Sequence, residues 1–169
     1  MNTYSKSFSQ AFSLPRTYLT AAGFVLLSVV VPQIMHQFSM AGTIFLPILF
    51  FTFFATVRYG TAVGLLSAFA SPLVSNLLTG MPPGGVLYVM LAQCITISLI
   101  GGYFVYKTGK INLYQIAAVI VAYQLVGCAL GVAFLSNFTD TLASLKTTIP
   151  GMLIQLGFFT IYSRYFLKK

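Results

Sequence analysis

The sequence predicts an all-α membrane protein, a bundle of six transmembrane helices, and three observations support this fold class. The 169 residues are 58% hydrophobic and only 6% charged, whereas a soluble domain carries about 25% charged residues. The apolar residues form six long runs without the alternating pattern of a membrane barrel, and backbone in lipid must then be helical. The basic residues fall almost entirely into alternate gaps between these runs.

The six runs define one predicted membrane domain that covers residues 1–169. Residues 1–17 are a polar segment, either a short amphipathic helix on the membrane surface or a disordered tail. Each run is close to the ~20 residues that a spanning helix needs. Pro32, Pro47 and Pro72 lie inside runs, where each would free a backbone carbonyl and kink its helix. The helices are predicted at about 18–35, 40–57, 61–78, 85–106, 113–135 and 150–166.

The charges predict an orientation for this bundle. Eight of the nine basic residues lie on one side of a six-helix arrangement, and only Lys146 lies on the other, near the single acid Asp140. Positive residues are retained in the cytoplasm. We therefore expect a multi-pass protein of the bacterial inner membrane with both termini cytoplasmic. An alternative is cleavage after the first run at Ser39-Met40-Ala41, which would leave five helices and an external N-terminus.

Two segments resemble a known family. The segment 71–83 ends in Thr79-Gly80-Met81-Pro82-Pro83. The last run begins with Pro150-Gly151, and three residues separate Gly151 from Gln155. Both are similar to motifs of the substrate-binding S components of energy-coupling factor (ECF) transporters. The resemblance implies a small vitamin-binding membrane protein that pairs with a membrane coupling protein and two cytoplasmic ATPases. The chain itself has no Gly-x-x-x-x-Gly-Lys-Ser/Thr phosphate loop, so such partners would supply the energy.

The first helix departs from the family pattern. Many S components carry an Ala-x-x-x-Ala motif there, where the coupling protein docks. The nearest equivalent here is Ser13, Thr17 and Ala21, spaced by four residues. Small residues at this spacing let helices approach closely. They are predicted to dock the partner, with packing inside the bundle as the alternative.

Polar side chains in the outer half of the runs predict a ligand site. An unpaired neutral amide in an apolar environment costs about 1–3 kcal/mol, so these groups either bond across helices or line a cavity. As a set they favour a cavity that opens outward beneath the loops at about 36–39, 79–84 and 136–149. The predicted ligand-binding residues are His36, Gln37, Asn76, Thr79, Met81, Tyr88, Gln93, Tyr123, Gln124 and Gln155.

The composition argues against most other functions. One Asp, no Glu and one His cannot supply a catalytic carboxylate pair, so we expect no enzyme, no cofactor and no metal site. Cys94 and Cys128 lie in apolar runs and are expected to be packing thiols. The charge of +8 follows from topology and not from nucleic-acid binding. The remaining alternative is a small channel or an interaction subunit for a neutral solute.

Overall fold

The computed structural model describes residues 11–12, 14–36, 46–134 and 138–166, and helices are the only regular secondary structure over these ranges. This confirms the all-α prediction. The fourth helix contains a π-helical turn at Ile97–Gly101. Within these ranges the structure describes six helices: α1 (Pro15–His36), α2 (Pro47–Tyr59), α3 (Thr61–Thr79), α4 (Gly84–Thr108), α5 (Leu113–Phe134) and α6 (Phe138–Phe166).

Four of the helices described, α1, α3, α4 and α5, are long and apolar enough to cross a membrane. Helix α2 is apolar but has only 13 residues within the described range. Helix α6 has 29 residues, and its first turns are polar. Long apolar helices of this kind are consistent with a membrane-embedded protein.

The observed helix bounds agree with the predicted ones for the third, fourth and fifth runs to within two residues. The predicted loop at 136–149 is wrong from Phe138 onward, because α6 already begins there and continues through Pro150. The start predicted at residue 40 and the alternative cleavage site lie outside the described residues.

Two of the three prolines lie inside helices as predicted, Pro32 in α1 and Pro72 in α3. The kink predicted at Pro47 is wrong, because this residue is the first of α2. Proline is favoured at that position, where its missing N–H has no intrahelical partner to lose.

Among the described residues, three glycines with positive φ lie between consecutive helices, Gly60, Gly80 and Gly109, and the first two are next to α3. Gly60, with φ 92°, is the single residue between α2 and α3. Gly80, with φ 70°, ends α3 and donates its N–H to the carbonyl of Asn76. A side chain is strained at such φ values, so these two positions set the sharp reversals of the chain.

The core lies mainly between α2, α4, α5 and α6. Phe53, Ile97, Val119 and Phe159 are fully buried there, and the rings of Phe53 and Phe159 are 4.2 Å apart between centroids. A smaller cluster joins α1 to α2 and α3 through Ala21, Phe24, Ala55 and Val63. Consecutive helices run in opposite directions, so the C-terminus of one helix lies beside the N-terminus of the next, and the bundle has two ends.

The two ends differ in charge. Arg58, Lys107 and Arg164 lie in the last turns of α2, α4 and α6, and Lys110 follows α4. We call this the basic end. At the opposite end the C-termini of α1 and α3 meet the N-termini of α2, α4 and α6, and we call this the cavity end.

Candidate functional site

A cavity of about 360 Å³ lies at the cavity end, between the termini of five helices. This volume falls within the range of about 300–1,000 Å³ that is usual for small-molecule sites. Its walls come from the C-termini of α1 and α3, the N-termini of α2 and α4, and the first turns of α6. The lining residues are Pro32, Gln33, Leu46, Pro47, Ile48, Leu49, Ser75, Met81, Pro82, Pro83, Val86, Met90, Ser144, Thr147 and Thr148.

The segment between α3 and α4 is held against the cavity by side-chain hydrogen bonds. Asn76 donates from Nδ2 to the carbonyl oxygen of Pro82 at 2.6 Å. The N–H of Met81 donates to Oγ1 of Thr79 at 3.2 Å, and the Thr79 hydroxyl donates to the carbonyl of Ser75 at 2.7 Å. These bonds position Met81, Pro82 and Pro83 in the cavity wall.

The cavity wall is mostly apolar, and none of the described residues in it is charged. Its polar groups are the amide of Gln33 and four hydroxyls. The hydroxyls of Thr147 and Thr148 donate to carbonyls of their own helix at 2.8 and 2.9 Å, which leaves their oxygen lone pairs as acceptors. Such a wall suits a neutral molecule with a large apolar surface and few hydrogen-bonding groups, because burying an unpaired charge there would be costly.

A buried polar pair lies deeper in the bundle. The hydroxyl of Tyr123 on α5 donates to Oε1 of Gln155 on α6 at 3.0 Å, and both side chains are fully buried. Nε2 of Gln155 has no hydrogen-bond partner among the described residues. Of the two explanations open for these side chains, their mutual bond supports cross-helix pairing.

Gln93 also faces a neighbouring helix. Its Nε2 lies 2.1 Å from the position that a Cβ on Gly127 would occupy, so its amide fills the space left by the missing side chain. Gln93 and Gln124 are half-buried, and neither lines the cavity. Tyr88, the predicted stacking residue, is 66% exposed on α4 and also lies off the cavity.

The structure thus divides the predicted ligand-site residues into groups. Met81 lines the cavity, while Asn76 and Thr79 hold the segment that carries it. His36 ends α1, but its side chain lies outside the described part of the chain, as does all of Gln37. Ligand contact by any of these residues stays a prediction.

Several lining residues were missed. Ser144, Thr147 and Thr148 belong to the stretch that was predicted as an outer loop, so only their position above a pocket was anticipated. Gln33 follows Pro32 near the outer end of the first run, and a polar side chain at that position could have been predicted to line the cavity. Ser75 belongs to a Ser67/Ser71/Ser75 series that is expected of any closely packed helix.

The residues predicted to dock a partner face the bundle interior where they are described. Thr17 is buried, and its hydroxyl donates to the carbonyl of Ala11 at 2.7 Å. Ala21 is buried in the small cluster with Phe24. Ser13 lies outside the described residues. The burial supports the packing alternative, and the docking role stays a prediction.

Comparison with family models, with curated proteins and with solved structures found no match to this chain.

Proposed function

We propose that this chain is the substrate-binding subunit of an ECF-type uptake transporter in the bacterial inner membrane. One observation carries the proposal. Met81, Pro82 and Pro83, from the segment that resembles S components, lie in the wall of the 360 Å³ cavity. Asn76 and Thr79 fix this segment there through hydrogen bonds to the carbonyl of Pro82 and from the N–H of Met81.

The proposal includes six membrane crossings with both termini in the cytoplasm. Helix α2 then spans together with apolar residues that precede Pro47, and α6 spans with the part that follows Pro150. The basic end faces the cytoplasm in this arrangement, in agreement with the positive-inside rule. The cavity end faces outward, where a nutrient would arrive.

The cavity limits the ligand. Its volume is near the lower end of the range for small-molecule sites, which favours a compact ring compound and disfavours one as large as cobalamin. The uncharged lining of described residues favours a neutral vitamin or a similar micronutrient. Transport against a gradient would then require the membrane coupling protein and the two cytoplasmic ATPases of such a system.

A thermal-shift screen of the detergent-purified protein against a panel of vitamins tests the proposal. A matched pair of tryptophan variants tests whether the ligand binds in the cavity. Val86→Trp puts a large side chain on the cavity wall, and we expect affinity to fall at least about tenfold, or about 1.4 kcal/mol. Leu77→Trp adds the same side chain at the same end, but Leu77 is 82% exposed and faces away from the cavity, so its affinity should equal that of the wild type.

The outcomes separate the proposal from the channel alternative. A binding subunit holds its ligand through purification, whereas a pore for a neutral solute does not. If no vitamin stabilises the protein, or if both tryptophan variants bind equally well, the cavity is not the ligand site. Co-purification with an ATPase module tests the partners separately.

A further inference from the structure

A second cleft, of about 280 Å³, lies at the basic end between the α4–α5 connection and the last turns of α6. It is separate from the cavity described above, at the other end of the bundle. Polar side chains occur on both sides of it, and two of them are cationic. The residues that form it are Lys110, Ile111, Asn112, Leu113, Thr160, Ser163 and Arg164.

The two cations of this cleft have no carboxylate side chain within reach. The sequence contains a single acid, Asp140, which lies in the first turn of α6. Arg164 follows it by 24 residues on the same helix (164 − 140), which corresponds to about 36 Å at 1.5 Å per residue. Lys110 and Arg164 therefore both line the cleft, and the single acidic side chain of the sequence is too distant to offset the charge of Arg164.

The cleft is held in shape by hydrogen bonds to the backbone. The Ser163 hydroxyl donates to the carbonyl of Ile111 and so ties α6 to the α4–α5 connection. The Thr160 hydroxyl donates to the carbonyl of Leu156 at 2.6 Å. The backbone N–H of Asn112 donates to Oε1 of Gln115 at 2.9 Å, which fixes the entry to α5. Of these bonds, the one from Ser163 joins the two walls, and the other two lie within one wall each.

Exposed tyrosines surround the same end of the bundle. Tyr106 is 70% exposed at the end of α4, Tyr114 is 86% exposed at the start of α5, and Tyr165 is 70% exposed at the end of α6. Tyrosine is enriched where a membrane protein crosses the level of the lipid headgroups. The cleft therefore lies at headgroup depth if the helices span a bilayer.

We propose that this cleft binds a phosphate oxyanion, supplied by the headgroup of an anionic phospholipid or by phosphate in solution. Arg164 presents a planar fork that matches two phosphate oxygens, and Lys110 adds a point charge from the opposite wall. Basic clefts between helices at the cytoplasmic face are suited to anionic headgroups. The site rests on the orientation proposed above, in which the basic end is cytoplasmic, but not on ligand binding in the cavity or on transport.

Native mass spectrometry of the detergent-purified full chain tests the site. Phosphatidylglycerol is compared with zwitterionic phosphatidylcholine, and inorganic phosphate is titrated separately with a thermal-shift readout. The variants are Arg164→Gln and Lys110→Gln, one from each wall. Lys107→Gln is the matched control, because it removes the same charge at the same end from a side chain whose Nζ lies 5.8 Å from the Tyr103 ring centroid and outside the cleft.

We expect wild type to retain phosphatidylglycerol in preference to phosphatidylcholine, and each cleft variant to lose about fivefold in affinity. Lys107→Gln should bind as the wild type does. Stabilisation by inorganic phosphate that Arg164→Gln abolishes, without preference between the lipids, would identify phosphate in solution as the source. An equal loss in all three variants, or no response to either source, would overturn the proposal. The two cleft variants lie on different elements, so a folding defect in one, detected by size-exclusion chromatography, leaves the other as the test.

Discussion

Asn76 reaches from the last turns of α3 to the carbonyl oxygen of Pro82, with 2.6 Å between its Nδ2 and that oxygen. The bond spans the turn at Gly80 and fixes the segment that forms one wall of the cavity. Asn76 is half-buried, so water competes poorly with this bond. Asn76, which is predicted to contact a ligand, therefore stabilises the connection between α3 and α4 in this structure.

Asn76→Ala should loosen the segment at residues 80–83 without unfolding the bundle. The loss of one side-chain hydrogen bond costs about 0.5–1.5 kcal/mol, and hydrogen exchange of Gly80 and Met81 should become faster. Leu78→Ala is the control, because Leu78 is 71% exposed on the same helix. Exchange rates that match in the two variants would show that the Asn76 bond does not hold the segment.

The Tyr123–Gln155 pair gives a prediction about the interior. Tyr123→Phe removes the donor to Oε1 of Gln155 and should lower the free energy of unfolding by about 0.6 kcal/mol, the average for hydrogen bonds between membrane helices, and by no more than about 1.7 kcal/mol. When Gln155→Leu is added to Tyr123→Phe, the free energy of unfolding should not fall a second time by that amount, because the first substitution has already removed the hydrogen bond. A double-mutant cycle by detergent denaturation measures this coupling. Strictly additive losses would mean that the two side chains act independently.

Close packing of α3 on α2 gives a third prediction, with two glycines as a matched pair. A Cβ on Gly64 would lie 2.2 Å from Oγ1 of Thr56 and 3.1 Å from its Cα. Gly64→Ala should therefore destabilise the protein by about 1–3 kcal/mol through overpacking. A Cβ on Gly23 would meet nothing within 4 Å, so Gly23→Ala should be neutral or slightly stabilising, since alanine favours helix. Similar melting temperatures for both variants would contradict the packing of α3 on α2.

The proposed topology gives a fourth prediction. Reporter fusions at the N-terminus and at the C-terminus should both be active in the cytoplasm, because six crossings return the chain to its starting side. The basic end, with Arg58, Lys107 and Arg164, should be protected from external reagents in intact cells. Termini in opposite compartments would rule out an even number of crossings.

The helical class and three helix bounds were predictable because apolar runs in lipid have few alternatives. Helix α3 begins at Thr61 and ends at Thr79, and a glycine flanks it on each side, Gly60 and Gly80. The start of α6 was missed because Pro150 was interpreted as a helix N-terminus. Proline suits that position, but here Pro150 lies inside a longer helix, where it removes one backbone hydrogen bond without ending the helix.

The candidate site was predictable in position but not in its members. The outer ends of the runs were expected to border a cavity, and Met81 does so. The deeper amides were not assigned partners, because depth along a helix does not determine the face that a side chain occupies. The contact between Tyr123 and Gln155 depends on how α5 and α6 are rotated, which the packing of the whole bundle determines.

Helix α6 runs unbroken from Phe138 to Phe166 and contributes walls to both clefts. Ser144, Thr147 and Thr148 serve one opening, and Thr160, Ser163 and Arg164 serve the other. Pro150 lies between the two groups and removes one backbone hydrogen bond, to the carbonyl of Lys146. Because one helix borders both openings, a tilt or slide of α6 as a unit would change the shape of the cavity and of the cleft in the same movement.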